Sequence, residues 1–300
     1  MTHRERIRGI IPAMVTPLHP DGRSVNEASL RRLVEHLIAG GVHGLFATGS
    51  QGEFYALTDD ERLRVWQVTL DQVAGRLPVY VGTGAVCTQD AVRLARLAER
   101  VGADAISVIT PYFIAPSQAE LYEHYRAIAE AVSLPVLLYT NPGRTGVNLS
   151  VDTVARLAEI PNIAGIKDSS GDMTLMGEYI RCCPPGFAVL AGRDTLIYGA
   201  LCYGAVGAIA ATANVAPALV CRIYECFLAG DLAGAAEAQR RLAPLRQAFG
   251  LGSFPVVIKE ALDMMGFEAG PARLPISPLN AAQRIELRRV LEGLHLLPEG

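Results

Sequence analysis

The sequence contains very little lysine. Of its 27 basic residues, all except Lys167 and Lys259 are arginine. An arginine guanidinium stays protonated at any working pH, whereas an ammonium that is partly desolvated at the end of a strand can lose its proton. A neutral amine can attack a carbonyl carbon and form an imine, which is how a lysine activates a 2-oxo acid. Lys167 follows a short apolar run and is therefore a candidate nucleophile, although most lysines are ordinary surface residues.

Excess positive charge and paired cysteines are also lacking. A formal net charge of −3 and a pI near 6.1 indicate no basic surface of the kind that binds nucleic acid, so we expect no nucleic-acid partner. The six cysteines include no Cys-x-x-Cys motif, which favours reduced thiols in the cytoplasm over a disulfide framework or a zinc site. The histidines have no metal-ligand spacing, and we expect neither a metal nor a cofactor.

A signal peptide and a membrane span are not expected either. Residues 1–6 are charged and lead into a strand-like run without the apolar core of a signal peptide. Residues 195–221 carry no charge and could span a bilayer by length, but several glycines, Asn214 and Pro217 divide them into shorter elements. We therefore predict a buried helix, a strand and the start of a second helix in this stretch, and no contact with a membrane.

Half of the residues are hydrophobic, and they form short β-type runs that alternate with longer helical patterns. The alternation predicts a parallel sheet, and eight apolar strands, each followed by a helix, predict an α/β fold of the (β/α)₈ TIM barrel type. The alternative, an open doubly wound sheet, would require a glycine fingerprint after the first strand, and residues 16–20 contain none. The predicted strands are residues 9–15, 44–48, 78–82, 104–109, 135–139, 163–167, 187–191 and 206–210.

The chain continues beyond the eighth strand as helices. Residues 232–247, 254–265 and 280–294 each have a helical pattern, and no linker separates them from the barrel. We expect residues 1–213 to form the barrel core, and residues 214–300 to form the last barrel helix and a C-terminal helical extension packed on the barrel. Two of the earlier helices begin with capping boxes, at Thr58 and at Ser117.

Polar residues follow several of the predicted strands, and the carboxyl ends of barrel strands form the active site in such folds. Lys167 ends the sixth strand, Tyr139 ends the fifth and precedes Arg144, and Ser50 with Gln51 follows the second. An amine to attack a ketone, a phenol to move protons, and exposed N–H groups to hold a carboxylate are what a 2-oxo acid requires. Each residue alone could be structural, but their coincidence at one end of the barrel favours a site.

The turn after the seventh strand, residues 192–195, has the sequence Gly-Arg-Asp-Thr. Many barrels bind phosphate at this position. No glycine-rich loop follows the eighth strand here, so the sequence favours a different use of this turn.

Three motifs together resemble the signatures of the dihydrodipicolinate synthase and N-acetylneuraminate lyase family. They are residues 49–53 (Gly-Ser-Gln-Gly-Glu), residues 139–146 (Tyr-Thr-Asn-Pro-Gly-Arg-Thr-Gly) and residues 165–168 (Gly-Ile-Lys-Asp). The resemblance extends over nearly the whole chain, from Ile11 through Val215. It implies a barrel enzyme of the class I aldolase type, usually a homotetramer, that needs no cofactor.

The resemblance also implies a role for individual residues. Lys167 would form the imine with pyruvate or a pyruvoyl-containing substrate, Tyr139 would transfer protons, and Ser50 would fill the hydroxyl position of the proton relay. The substrate carboxylate would be bound by the backbone at Ser50 and Gln51, with Gly52 beside them.

Two further residues would contact substrate on the same resemblance. Ile209 would line the pyruvate site through its main chain. Arg144 resembles the arginine that dihydrodipicolinate synthases use near the carboxylate of the second substrate, which is an aldehyde.

Some positions depart from the synthase pattern. Phe113 stands where the synthases have a tyrosine that serves the proton relay of a neighbouring subunit, and phenylalanine cannot pass a proton. Gln51 replaces the usual second threonine, and residues 167–172 are closer to the hydroxy-oxoglutarate aldolase branch. The departures put lysine-pathway synthesis in doubt while the imine chemistry is kept.

Three functions are therefore considered. The first is a Schiff-base lyase or synthase that joins or cleaves pyruvate and an aldehyde, either dihydrodipicolinate synthase-like or 4-hydroxy-2-oxoglutarate aldolase-like. The second is a 2-oxo-3-deoxy sugar acid dehydratase that uses the same imine but releases water. The third is a 2-oxo acid binding protein without catalysis, which Phe113 would explain.

Overall fold

The structure is a computed structural model that describes residues 7–297. Residues 1–6, on which the expectation of no signal peptide rests, lie outside this range. The strands in the described part are β1 (Gly9–Pro12), β2 (Leu45–Ala47), β3 (Val79–Gly82), β4 (Ala105–Ile109), β5 (Val136–Thr140), β6 (Ile163–Asp168), β7 (Ala188–Ala191) and β8 (Gly207–Ala210).

These strands are parallel and form a ring. Each strand pairs with the next along the chain from β2 to β8, and β8 pairs with β1. A parallel bridge between Ala13 and Phe46 joins the first strand to the second and closes the barrel. The predicted (β/α)₈ TIM barrel is thereby confirmed.

The helices surround this ring and continue beyond it, as predicted. Two of them, α10 and α12, belong to the C-terminal extension and contact each other. The helices of the described residues are α1 (Glu27–Ala39), α2 (Asp59–Val73), α3 (Thr88–Val101), α4 (Gln118–Glu130), α5 (Pro142–Thr145), α6 (Val151–Ala158), α7 (Met173–Cys182), α8 (Ile197–Tyr203), α9 (Pro217–Leu228), α10 (Leu232–Ala248), α11 (Val256–Met264) and α12 (Ala281–Gly293).

The first strand is shorter than predicted because the chain changes partner at its end. Ala13 N donates to Ala210 O of β8 at 3.0 Å, whereas Met14 N donates to Phe46 O of β2 at 2.9 Å. Val15 N then donates to the Asn214 side chain at 3.1 Å. The predicted strand of residues 9–15 therefore ends at Pro12, where the continuous ladder with β8 stops.

Local signals for helix ends are confirmed. The side chain of Thr58 accepts from the backbone N–H of Glu61, and the Glu61 carboxylate accepts from the backbone N–H of Thr58. Ser117 and Glu120 are paired in the same way. These capping boxes satisfy N–H groups that the first helical turn leaves without partners.

The uncharged stretch of residues 195–221 is divided as predicted. It contains α8, β8 and the beginning of α9, with short 3₁₀ turns between them. None of the helices within residues 7–297 combines the length and the apolar character that a membrane crossing requires.

Apolar residues form two layers, one inside the ring and one between the ring and the helices. The inner layer includes Phe46, Leu137 and Ile209, and the outer layer includes Leu138 and Ile166. Successive residues of a strand point to opposite faces, so Lys167, which follows the outward-facing Ile166, points into the barrel.

The extension packs on the barrel through several contacts. Helix α9 contacts β1 and α8, and α11 contacts the 3₁₀ turn that follows β8. The division of the chain into residues 1–213 and residues 214–300 stays a prediction.

Candidate active site

A cavity of about 250 Å³ opens at the carboxyl ends of the strands. It lies where the sequence analysis expects an active site, and six of the seven predicted site residues line it. They are Ser50, Gln51, Tyr139, Arg144, Lys167 and Ile209.

Lys167 is buried in this cavity, with 5% of its surface exposed. Its position is fixed by β6, where it pairs in register with Tyr139 of β5. The Nζ atom lies 4.2 Å from the centroid of the Tyr139 ring and 5.6 Å from that of Phe46. No carboxylate among the described residues forms an ion pair with it, so the amine faces aromatic rings and the open cavity.

Tyr139 offers a phenol with altered acidity beside this amine. Burial by itself would raise the pKa of Tyr139, but the charge of Lys167 and the hydrogen bond from Asn141 lower it, with smaller contributions from Ser50 and Ser169, and the net pKa is below its usual value. Asn141 Nδ2 donates to the phenol oxygen at 2.9 Å. A phenol of this kind can give up and take back a proton more readily than an ordinary tyrosine.

The turn after β2 presents Ser50 and Gln51 to the cavity. Gly49 permits this turn because a Cβ there would lie 2.5 Å from the Phe46 ring. The hydrogen bonds of the described residues leave the backbone N–H groups of Ser50 and Gln51 without an acceptor. Ser50 Oγ is buried and makes no well-aligned hydrogen bond, although it lies close enough to the Tyr139 phenol to lower its pKa. Adjacent free N–H groups of this kind form an anion-binding concavity.

Gly52 is the one predicted site residue that the structure does not bring to the cavity. Its N–H donates to Gly49 O at 3.0 Å, and its carbonyl accepts from Thr16 Oγ1 at 2.8 Å. Both backbone groups therefore hold the turn in shape, and neither is available to a ligand.

Arg144 lies at the mouth of the cavity on α5, a single helical turn that is capped by Asn141 before it and by Gly146 after it. Its guanidinium carbon is 3.7 Å from the centroid of the Phe254 ring. Thr110 Oγ1 donates to Thr145 Oγ1 at 3.0 Å and ties this turn to the end of β4. The guanidinium is thus held over the ring with its N–H groups available to an anion.

Several cavity residues were not predicted as binding residues. Arg193 follows β7, in the turn considered for phosphate, while Arg246, Phe249 and Phe254 come from the C-terminal extension. The helical spacing of the sequence could have indicated Arg246. It lies four residues after the buried Leu242 and therefore at the edge of the buried face of α10.

Phe113 does not line the cavity of its own chain. Its side chain is 97% exposed, and its φ of 76° lies in the left-handed region. The neighbouring Tyr112 instead packs inward against Phe54, with the ring centroids 5.8 Å apart.

Comparison with known proteins identifies the family of this chain. The model of the dihydrodipicolinate synthetase family matches residues 6–294. The 4-hydroxy-tetrahydrodipicolinate synthase of Methanopyrus kandleri is 40% identical over 296 residues, which cover 98% of this chain and 99% of that protein. The enzyme of the same name from Methylococcus capsulatus is 42% identical over 291 residues, covering 97% of this chain and 100% of that protein.

Solved structures are similar over the same length. A chloride-inhibited dihydrodipicolinate synthase from Acinetobacter baumannii, complexed with pyruvate, has a TM-score of 0.94 and 40% identity, covering 97% of this chain and 100% of its own. The dihydrodipicolinate synthase from Aquifex aeolicus has a TM-score of 0.94 and 33% identity, covering 98% of this chain and 100% of its own.

Proposed function

Because this chain belongs to the dihydrodipicolinate synthetase family, a family of Schiff-base-forming class I aldolases, we propose that it joins or cleaves pyruvate and an aldehyde through an imine on Lys167. One observation carries the assignment of Lys167. Its buried amine faces the cavity beside the phenol of Tyr139, whose pKa is lowered. The amine and the proton carrier are thus side by side.

The first half of the reaction forms the imine. In its unprotonated form, Nζ of Lys167 attacks C2 of pyruvate while the ketone oxygen takes a proton from the Tyr139 phenol. The phenolate then takes a proton from the nitrogen, which gives the neutral carbinolamine and restores the phenol. Loss of water from the carbinolamine, with a second proton delivered through Tyr139, leaves the protonated imine. Ser50, whose hydroxyl contributes to the lowered pKa of the Tyr139 phenol, passes the proton onward. The free N–H groups of Ser50 and Gln51 hold the pyruvate carboxylate.

The second half forms the carbon–carbon bond. The Tyr139 phenolate takes a proton from C3 of the imine, which gives an enamine. C3 of the enamine then attacks the aldehyde carbon while the Tyr139 phenol donates that proton to the aldehyde oxygen. Water then hydrolyses the imine, which releases the product and restores the amine of Lys167. Cleavage is the same sequence in reverse. Ile209 would line the pyruvate site through its main chain, and Arg144 would meet a carboxylate on the aldehyde.

Trapping the imine tests this proposal. Incubation with pyruvate followed by borohydride reduction should add a pyruvate-derived mass to the peptide that contains Lys167, and Lys167→Arg should prevent the adduct while it keeps the positive charge. Lys259 provides an internal control, since its peptide should stay unlabelled. An unlabelled Lys167 peptide, under conditions that trap a known family member, would overturn the proposal.

The dehydratase shares the imine, so the products distinguish it from the aldolase. A dehydratase would remove water from a 2-oxo-3-deoxy sugar acid without releasing pyruvate. An aldolase would cleave the same acid and release pyruvate. Binding without catalysis would give the adduct but no aldehyde-dependent turnover.

We also propose that the enzyme is a homotetramer that acts in the cytoplasm. Exposed apolar side chains near the barrel mouth, namely Tyr55, Phe113 and Ile114, support an interface between copies, because burying them would remove apolar area from water. Six free cysteines support a reducing compartment.

A further inference from the structure

Three arginines line the cavity above Lys167, and they come from different parts of the barrel end. Arg144 is on α5, Arg193 follows β7, and Arg246 is on α10. None of the three forms an ion pair with a carboxylate in residues 7–297. Three guanidinium groups around one small cavity repel one another, and this repulsion is relieved when an anion binds between them.

Each guanidinium is oriented by a contact that leaves N–H groups free. Arg193 Nε donates to Ser169 O at 2.9 Å. Arg144 stacks on Phe254, and the guanidinium carbon of Arg246 lies 5.2 Å from the centroid of the Phe249 ring. Burial lowers the pKa of Arg144, Tyr139 and Tyr55 oppose this effect, and the charges of Arg193 and Arg246 lower the pKa further, so both charges lie within electrostatic range of Arg144.

The single carboxylate that lines the cavity in the described part of the chain is not available to balance them. Asp194 is 2% exposed, and its oxygens accept from Thr212 N at 2.6 Å and from Ala211 N at 3.3 Å. The same contacts occupy the N–H groups after β8, where a barrel phosphate site would draw its donors. The recognition of an anion therefore falls to planar guanidinium groups, whose geometry matches a carboxylate.

The arginines also stand at the entrance to a side pocket. A second space of about 110 Å³ adjoins the cavity and shares Gln51, Arg144, Arg246, Phe249 and Phe254 with it. Its remaining wall is formed by α11 and the residue before it. A substrate whose aldehyde carbon lies over Lys167 can direct its far end past Arg144 and Arg246 toward this pocket.

Resting on the proposed function, we propose that the second substrate is a carboxylated aldehyde without an amino group, and that Arg193 and Arg246 select it together with Arg144. The pyruvate carboxylate is held separately, at the turn of Ser50 and Gln51. A carboxylate on the aldehyde pairs with the three guanidinium groups. An ammonium on the aldehyde meets the three guanidinium groups and no available carboxylate among the described lining residues, because Asp194 is turned toward the backbone of Ala211 and Thr212.

The test compares three four-carbon aldehydes at saturating pyruvate: succinate semialdehyde, aspartate semialdehyde and butanal. Succinate semialdehyde should have a kcat/KM roughly tenfold or more above that of each of the others, since it alone has the carboxylate without the ammonium. Aspartate semialdehyde as the preferred aldehyde, or equal values for all three, would overturn the inference.

Variants locate the preference. Arg193→Gln and Arg246→Gln should each raise the KM for succinate semialdehyde about tenfold. The KM for pyruvate and the KM for butanal should stay unchanged. Arg241→Gln, an exposed arginine on the same helix as Arg246, should change none of these values. An unchanged preference in both cavity variants would refute the assignment.

Borohydride trapping separates this inference from the proposed function. Each variant is first shown to form the Lys167 adduct with pyruvate at the wild-type rate, which also shows that it is folded. If the adduct forms and the acid aldehyde is consumed but not preferred, the inference alone is overturned. If the adduct forms and no aldehyde is consumed, the inference is overturned and binding of a 2-oxo acid without catalysis replaces the aldolase reaction. If the wild-type protein forms no adduct, the proposed function and the inference are overturned together.

Discussion

Lys259 Nζ lies 2.8 Å from Glu53 Oε1, and both side chains are buried, with 0% and 1% of their surfaces exposed. The other oxygen of Glu53 accepts from Arg273 N at 2.8 Å, and Lys259 also donates to Pro271 O at 2.6 Å. Glu53 directly follows the turn that presents Ser50 and Gln51. The ion pair therefore fastens the C-terminal extension to the turn that is proposed to hold the pyruvate carboxylate.

Lys259→Met should destabilise the protein strongly, because it leaves the Glu53 carboxylate buried without a positive partner. Loss of one partner from a buried pair costs about 3–5 kcal/mol, and urea denaturation measures this. Arg240→Met, which breaks the exposed pair of Arg240 with Glu237, should leave the free energy of unfolding nearly unchanged. The double variant Lys259→Met with Glu53→Gln should recover part of the lost free energy of unfolding. If Lys259→Met is as stable as Arg240→Met, the buried pair does not stabilise the protein as proposed.

Tyr139→Phe should lower kcat by roughly a hundredfold or more while the KM for pyruvate changes little, because the phenol serves proton transfer rather than binding. Stopped-flow or quench measurements of adduct formation should show a slower imine step with the same final extent. Tyr80→Phe is a suitable control, since Tyr80 is buried in the inner layer of the barrel away from the cavity lining. A variant at position 139 with normal kcat would exclude the phenol from the relay.

Stability should fall as the pH is lowered from about 6.5 to 4, and His124 should contribute to this fall. Burial lowers the pKa of His124 from 6.5 to about 4. Between these two pH values His124 is protonated in the unfolded chain but stays neutral in the folded chain. The free energy of unfolding therefore decreases with decreasing pH, by about 3 kcal/mol in total for this residue. Urea midpoints between pH 7 and 4 measure the slope.

His124→Gln should flatten that slope, whereas His19→Gln, at an exposed position, should leave it as in the wild type. Equal slopes in the wild type and in His124→Gln would show that the imidazole does not carry the effect. The half-buried His36 and His43 also have lowered pKa values because of partial burial, and they contribute equally to all of these proteins. The difference between the variants therefore isolates His124.

Phe113→Asp should shift the protein from the proposed tetramer to smaller species, because a charge would replace an apolar side chain at the proposed interface. Light scattering coupled to size-exclusion chromatography measures the mass. Ile285→Asp, which places the same charge at another exposed apolar position, on α12, is the control. A monomeric wild type, or a tetramer that tolerates Phe113→Asp, would refute this interface.

Much of the barrel could be predicted because its signals are local. Alternating strand and helix patterns, together with capping residues such as Thr58 and Ser117, determine the order of the elements within a few residues. The rule that barrel strands present their carboxyl ends to one face then brings Lys167, Tyr139 and Ser50 to the same region. The sequence alone thus predicted the eight-stranded barrel and the candidate amine.

Contacts between distant parts of the chain were decided only by the tertiary structure. Nothing near Lys259 in the sequence indicates that it meets Glu53, which lies 206 residues away. Arg246 and Phe254 line the cavity only because the extension folds back over the barrel mouth, and Gly52 is excluded because its backbone groups are used within the turn. Local patterns specify helices and strands, whereas such side-chain partners depend on how the completed elements pack against one another.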